Sequence, residues 1–318
     1  MNLTSRPLID PELLAGLELL PSFDFSAETL PMIRAAIAAR PRAEVQDDPD
    51  VAFEERHVAG NEGHLISLMV YRPTAMSAAL RPAILHIHGG GYVIGSAQMA
   101  TLACAEMAKA MDAVLVSVDY RLAPETAHPG PVEDCYAALR WLHAEAASLG
   151  VDPARIAITG ESAGGGLAAA LALLARDRGE YAICHQHLIY PMIDDRTCTR
   201  NDPHPLTGEF IWSASSNIFG WASLLGHAPG LPDVSPYAAA ARADDLSGLP
   251  SSFIAVGALD LFLDEDMDYA LRLTRAGVPT ELHVYPGAYH GFEMNVKADV
   301  VAQAKLTSYR ALKRALNR

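Results

Sequence analysis

Cysteine is scarce in this chain. There are four in 318 residues, Cys104, Cys135, Cys184 and Cys198, widely spread and with no C-x-x-C pair. A disulfide framework is therefore excluded, and the expectation is reduced thiols in a cytoplasmic protein. Positive charge is short too: 24 Lys and Arg stand against 38 Asp and Glu, a formal charge of −14. So acidic a surface repels phosphate backbones and anionic lipid, which argues against a nucleic-acid partner. Long apolar runs are missing. The most apolar stretch, around Ala163–Ala175, is too short to span a bilayer and contains three glycines. The first residues, "MNLTSRPLIDPELLAGLELL", lack a basic region followed by an unbroken apolar run. No targeting segment and no membrane insertion are expected. Internal repeats, low-complexity tracts and linkers are also absent.

What is present is material for a large core. Half of the residues are hydrophobic, enough for one large α/β domain. Apolar runs rich in β-branched residues alternate with longer alanine-rich stretches. Strands are predicted at 81–90, 112–121, 154–160, 185–191, 252–260 and 280–286. Helices are predicted at 102–111, 131–150, 163–179, 263–277 and about 298–316. Such alternation argues for a mostly parallel sheet covered by helices on both faces. The earlier runs 51–58 and 64–72 read as a hairpin adding antiparallel edge strands. Two regions fall outside the alternation. Residues 1–45 are helical in character, and 46–318 form the remaining domain. Within that domain an insertion at about 195–235 carries Phe210, Trp212, Phe219 and Trp221. An insertion this long, so rich in aromatics, predicts a lid or binding element.

The chemistry starts at "ITGESAGGGL", residues 158–167. Glycine and serine both favour turns, so the motif by itself also fits an ordinary loop. Its context is more telling. Ser162 follows a predicted strand and precedes a predicted helix, the setting in which G-x-S-x-G forms a nucleophile elbow. Side chains two residues either side of the serine would collide in so sharp a turn, so Gly160 and Gly164 are required there. The helix behind Ser162 points its positive dipole end at the hydroxyl.

A serine hydroxyl needs a base, and the base an orienting carboxylate. In this arrangement they follow in the order acid, then histidine. His290, in "YPGAYHGFEM", lies in the loop after a predicted strand, whereas His283 lies inside that strand as a packed or surface residue. Asp260 ends a strand at the carboxyl edge of the sheet, where ligands bind in open α/β folds. Asp264, Glu265, Asp266 and Asp268 fall in the first turns of the next helix, where acids favour the dipole; Asp264 is the second choice for the acid. "HGGGY", residues 88–92, follows another strand, and its run of glycines exposes unhindered backbone N–H groups.

Together "HGGGY", "VDYRLAPE", "GESAGGGLAA", "DLFLDED" and "YHGF" resemble the hormone-sensitive-lipase-like branch of the α/β-hydrolases over about residues 80–295. Within that branch the chain is similar to bacterial carboxylesterases and acetyl esterases, heroin-esterase-like enzymes among them. The resemblance implies an α/β-hydrolase fold with a cap built from the N-terminal helices and the insertion. It implies Ser162, Asp260 and His290 as catalytic triad, and Gly90, Gly91 and Ala163 as oxyanion-hole donors, with His88, Gly89, Gly160 and Gly164 supporting them. Leu261 and Phe262 depart from the pattern, since many relatives have a proline after the acid. Glu161 occurs in a subset of the branch and receives no role.

Other clusters have plainer readings. His86 and His88 alternate on a strand, and Cys184, His185 and His187 lie close in sequence; both sets are read as strand residues rather than metal ligands, with His88 shaping the glycine loop. Arg121 and Glu125 are expected to form a buried ion pair holding a turn. The resulting expectation is a cofactor-free serine carboxylesterase acting on short-chain acyl esters, with a small-molecule substrate and a homodimer left open. Two rivals stay open: a ligand-binding protein on a hydrolase scaffold, and an amidase or carbamate hydrolase.

Overall fold

The structure is a computed structural model that describes residues 4–19, 24–39 and 48–317. The predicted N-terminal segment 1–45 thus lies partly outside the described residues. Eight strands form one sheet in the order β1-β2-β4-β3-β5-β6-β7-β8. They are β1 (Val51–Ala59), β2 (Leu65–Pro73), β3 (Arg81–Ile87), β4 (Val114–Asp119), β5 (Val151–Glu161), β6 (His185–Ile189), β7 (Ser251–Gly257) and β8 (Thr280–Tyr285). β1 runs antiparallel to β2, and β2 antiparallel to β4; every other pairing is parallel.

The helices are α1 (Pro11–Leu19), α2 (Leu30–Ala38), α3 (Thr101–Met111), α4 (Gly130–Ala144), α5 (Ala146–Leu149), α6 (Ala163–Arg178), α7 (Ala214–Leu225), α8 (Leu263–Arg275) and α9 (Asp299–Leu316). The helix predicted over 131–150 is broken at Glu145, and its second piece ends where Gly150 turns left-handed at φ 68°.

Strand alternation sorts the core into two layers. Ile84 and Leu115 face α3 and α9, packing with Cys104, Ala108, Met111 and Leu312. Their neighbours Leu85 and Val116 face the opposite way, against Leu139, Leu142, Leu171 and Leu273 of α4, α6 and α8. α6 is buried from Ala163 through Ala175. Its small residues let it lie close over the centre of the sheet, which fixes its first residue at the end of β5.

The carboxyl ends of the strands are covered by two other segments. The insertion between β6 and β7 contributes Phe210, Trp212 and α7, capped where Ser213 accepts from the Ser216 amide. The N-terminal segment reaches the same end. Tyr289 Oη donates to the Leu13 carbonyl at 3.0 Å, and the Ser5 amide and hydroxyl donate to Glu209 at 2.6 and 2.7 Å. Arg34 on α2 donates to the carbonyls of Val93 and Ala123, at 2.8 and 2.7 Å, and pairs with Glu125.

The expected Arg121–Glu125 pair is not formed. Arg121 instead grips the buried Asp134 of α4 at 2.9 Å and also Glu62, while Glu125, largely exposed, is taken by Arg34. Short sequence separation did not decide the pairing: α4 and α2 bring opposite charges closer.

Candidate active site

Ser162 sits between β5 and α6 with φ 57° and ψ −122°, a conformation rare outside glycine. Its amide is fixed on the Ile189 carbonyl at 2.9 Å, and its own carbonyl accepts from Gly166 and Met192. The turn closes backbone on backbone. A Cβ on Gly164 would lie 2.0 Å from the Ile87 oxygen, and one on Gly160 would lie 2.4 Å from Gly164.

The structure brings Ser162, His290 and Asp260 together from three different strand ends. Ser162 Oγ lies 2.9 Å from His290 Nε2, and His290 Nδ1 lies 2.8 Å from Asp260 Oδ2. All three are buried. A carboxylate only accepts, so Nδ1 carries the proton and Nε2 is left to accept from the serine hydroxyl. Asp264 is exposed on α8 and stands apart from this line. His283 is half-buried on β8 and bonded to Glu281 at 2.8 Å.

The glycine loop lies beside the serine. Gly90 and Gly91 take φ 123° and 58°, values open to glycine. Ala163 is the first residue of α6, so its N–H has no partner within the helix. A Cβ on Gly89 would sit 2.8 Å from the Glu161 carbonyl, which presses the loop against the elbow. His88 holds the loop from below. Its Nδ1 bonds the Gly89 carbonyl at 2.9 Å, and its ring stacks on Tyr120 at 4.2 Å. Burial pushes His88 down to about 4, so it is neutral at physiological pH.

Three rings surround this line: Trp212, an aromatic of the insertion expected to form a lid or binding element, and Tyr190 and Phe262, to which the sequence reading gave no role at the site. Rings of Tyr190, Phe262 and Trp212 lie 4.6, 5.1 and 6.4 Å from the His290 ring, centroid to centroid. Glu161, left without a role above, meets His86 at 3.2 Å, and His86 bonds Ser117 at 2.8 Å. Burial opposes charge on both members, yet Cys104 and Glu161 hold the His86 imidazole well above its ordinary range, and His86 holds Glu161 below its own. This part-buried pair, with Glu161 partly open to solvent, ties β3 and β4 to the residue before Ser162. Glu265 was read only as a helix-start acid. It is buried instead, and it accepts from the amides of Ile193 and Asp194 at 2.7 and 3.1 Å, anchoring the chain that enters the insertion. Nothing in the local sequence distinguishes it from its exposed neighbour Asp264.

The histidine clusters have internal partners. His185 Nδ1 bonds Ser251 at 2.9 Å, and His187 Nε2 bonds Ser308 at 2.7 Å. Among the described residues, no group of three His, Cys, Asp or Glu side chains is placed to hold a metal ion.

Comparison with known proteins defines the class. A family model described as the alpha/beta hydrolase fold matches residues 84–294. The chain belongs to this family, the α/β-hydrolases, in their hormone-sensitive-lipase-like branch. Carboxylesterase NlhH of Mycobacterium tuberculosis is 36% identical over 324 residues, covering 98% of each chain. An ethyl acetate hydrolase of Pseudomonas putida is 30% identical over 295 residues, 89% of this chain and 92% of the other. The solved structure of a bacterial heroin esterase superposes with a TM-score of 0.88 at 39% identity, covering 98% of each chain.

Proposed function

We propose that this protein is a serine carboxylesterase that hydrolyses short-chain acyl esters through an acyl-serine on Ser162. The observation that carries the reading is the continuous hydrogen-bonded line Ser162–His290–Asp260, at 2.9 and 2.8 Å. His290 Nε2 takes the hydroxyl proton as Ser162 attacks the ester carbonyl. Asp260 keeps the imidazole in the tautomer this requires and stabilises the imidazolium that forms. The amides of Gly90, Gly91 and Ala163 receive the oxyanion, which develops in a site shielded from water where such donors act strongly. The imidazolium then gives its proton to the departing alcohol. Water, activated by the same nitrogen, releases the acid.

The insertion and the N-terminal segment together act as a cap over this centre, and their aromatic side chains favour small apolar acyl groups. The relatives named for ester hydrolysis, and the one named for ethyl acetate, point the same way. Among the described residues no helix is long and apolar enough to cross a membrane. Free Cys104 and Cys135, both buried, support placement in a reducing cytoplasm.

The test pairs two measurements. Ser162→Ala should fold and hydrolyse nitrophenyl acetate no faster than background. An organophosphonate should label the parent at Ser162 alone, read by peptide mapping. Parent-like activity in the variant, or label elsewhere, overturns the assignment.

A further inference from the structure

We infer that Trp212 sets the upper size limit of the acyl group, an inference that rests on the esterase reading above. Trp212 lies in the insertion, immediately before the cap residue of α7, and it is buried and packed against several neighbours. Its indole Nε1–H donates to Asn217 Oδ1 at 3.1 Å, and its ring packs against Phe25 of the N-terminal segment at 5.4 Å. Gly220 of α7 closes the far side: a Cβ there would stand 3.4 Å from the indole Cζ2. A side chain so fixed is a wall rather than a gate.

What it walls off is the oxyanion loop. A Cβ on Gly91 would fall 2.1 Å from the indole Cη2, so the ring fills the space that any other residue at 91 would occupy. The same ring lies 6.4 Å from His290. The indole therefore bridges the glycine that receives the oxyanion and the histidine that serves the nucleophile. The departing alcohol must stay within reach of His290 Nε2, and the rings packed directly on His290 are Tyr190 and Phe262. Trp212 sits farther from His290 and against Gly91, the side to which we assign the acyl substituent of the tetrahedral carbon.

A second observation supports the assignment independently. Ile211, the residue before Trp212, is held at φ 63°. A β-branched residue in that region is a genuine outlier, and such strain clusters where a side chain must be aimed. Strain at 211 orients the indole onto Gly91.

The experiment uses the full-length enzyme and variants Trp212→Ala, Trp212→Leu and Trp212→Phe. Active sites are counted by phosphonate labelling at Ser162, so that kcat/KM refers to folded enzyme. One series varies the acyl chain of nitrophenyl esters from acetate to octanoate; the other varies the alcohol of acetate esters. A pocket discriminates one methylene by about 10-fold or more. The octanoate-to-acetate ratio of kcat/KM should therefore rise at least 10-fold in Trp212→Ala, less in Trp212→Leu and least in Trp212→Phe, with the alcohol series moving little. An unchanged acyl ratio in labelled Trp212→Ala overturns the inference, as does a shift confined to the alcohols. Should Trp212→Ala not fold, the ranking of Leu over Phe decides in its place. Failure of Ser162 to label in the parent would instead sink the esterase reading itself.

Discussion

Asp260 holds His290 with one carboxylate oxygen and its own chain with the other. Oδ2 lies 2.8 Å from His290 Nδ1, while Oδ1 accepts from the Phe262 amide at 3.0 Å. The carboxylate is fully buried and cannot swing away. The hydrogen bond from the Phe262 amide fixes its orientation.

This arrangement makes the acid assignment separable from the rest of the site. Asp260→Asn keeps the shape but places an amide N–H opposite Nδ1, which favours the other tautomer. The expected loss in kcat on nitrophenyl acetate is on the order of 10⁴-fold, as in other triads. Asp264→Asn, exposed on α8, should stay within a few-fold of the parent. A reversal of these two ranks would mean that the acid is misassigned.

The elbow glycines differ from glycines needed only for backbone angle. Gly164→Ala would drive a methyl onto the Ile87 carbonyl at 2.0 Å, with no flexible side chain to yield. Overpacking of this kind costs about 1–3 kcal/mol, and here it also displaces Ser162. Gly179→Ala, at φ 67° with nothing within 4 Å, carries only backbone strain. Thermal unfolding and acetate hydrolysis should therefore fall together for Gly164→Ala, whereas Gly179→Ala should lose stability without losing kcat. Equal kinetic damage in both would refute the steric account of the motif.

The strand–helix alternation and the elbow were legible because each is encoded locally, by apolar runs, glycines and their order along the chain. The hydrogen-bonded line Ser162, His290, Asp260 was readable for the same reason: the fold places these three residues at strand ends. The surroundings were not. Arg121 chose Asp134 over Glu125 because α4 packs beside it, which local sequence does not reveal. Glu265 and Asp264 are adjacent acids on one helix, yet one is buried and the other exposed, a difference set by which helix face meets the insertion. Tyr190, Trp212 and Phe262 converge on His290 from separate loops. No periodicity or spacing announces such a meeting.

Arg34 joins α2 to the loops that follow β3 and β4. Its guanidinium serves two backbone carbonyls besides Glu125. The ion pair alone is worth little, because Glu125 is 64% exposed. The carbonyl bonds are part-buried and leave unmet acceptors when lost, at about 1–3 kcal/mol each at most. Arg34→Ala should therefore speed proteolytic cleavage within residues 24–39 and blunt the acyl-chain preference, while Glu125→Gln does neither. Matching behaviour of the two variants would show that the exposed ion pair, not the carbonyl bonds, fastens α2.

The last prediction concerns Glu293, three residues beyond His290. Its carboxyl oxygen Oε2 is shut off from solvent and unpartnered. Burial, the largest influence, pushes the group up to about 8, helped by the charges of Glu161 and Asp260; its own backbone and the Tyr190 hydroxyl pull the other way. In the unfolded chain the same carboxyl ionises near its ordinary value of 4.5. Between those two values the folded protein keeps a proton that the unfolded chain has released. Stability contributed by the neutral carboxyl is therefore whole below about pH 4.5, declines as pH rises through the interval, and is gone above about 8. Glu293→Gln removes the ionisation while keeping nearly the same shape. Its Tm should match or fall slightly below the parent at pH 5 and exceed it at pH 9, the gap widening steadily between. Other buried acids, Glu265 and Asp266 among them, titrate in the same direction in both proteins, so the difference between the two curves isolates Glu293. A gap that stays constant from pH 5 to 9 would mean that Glu293 ionises in the folded protein as it does in the unfolded chain.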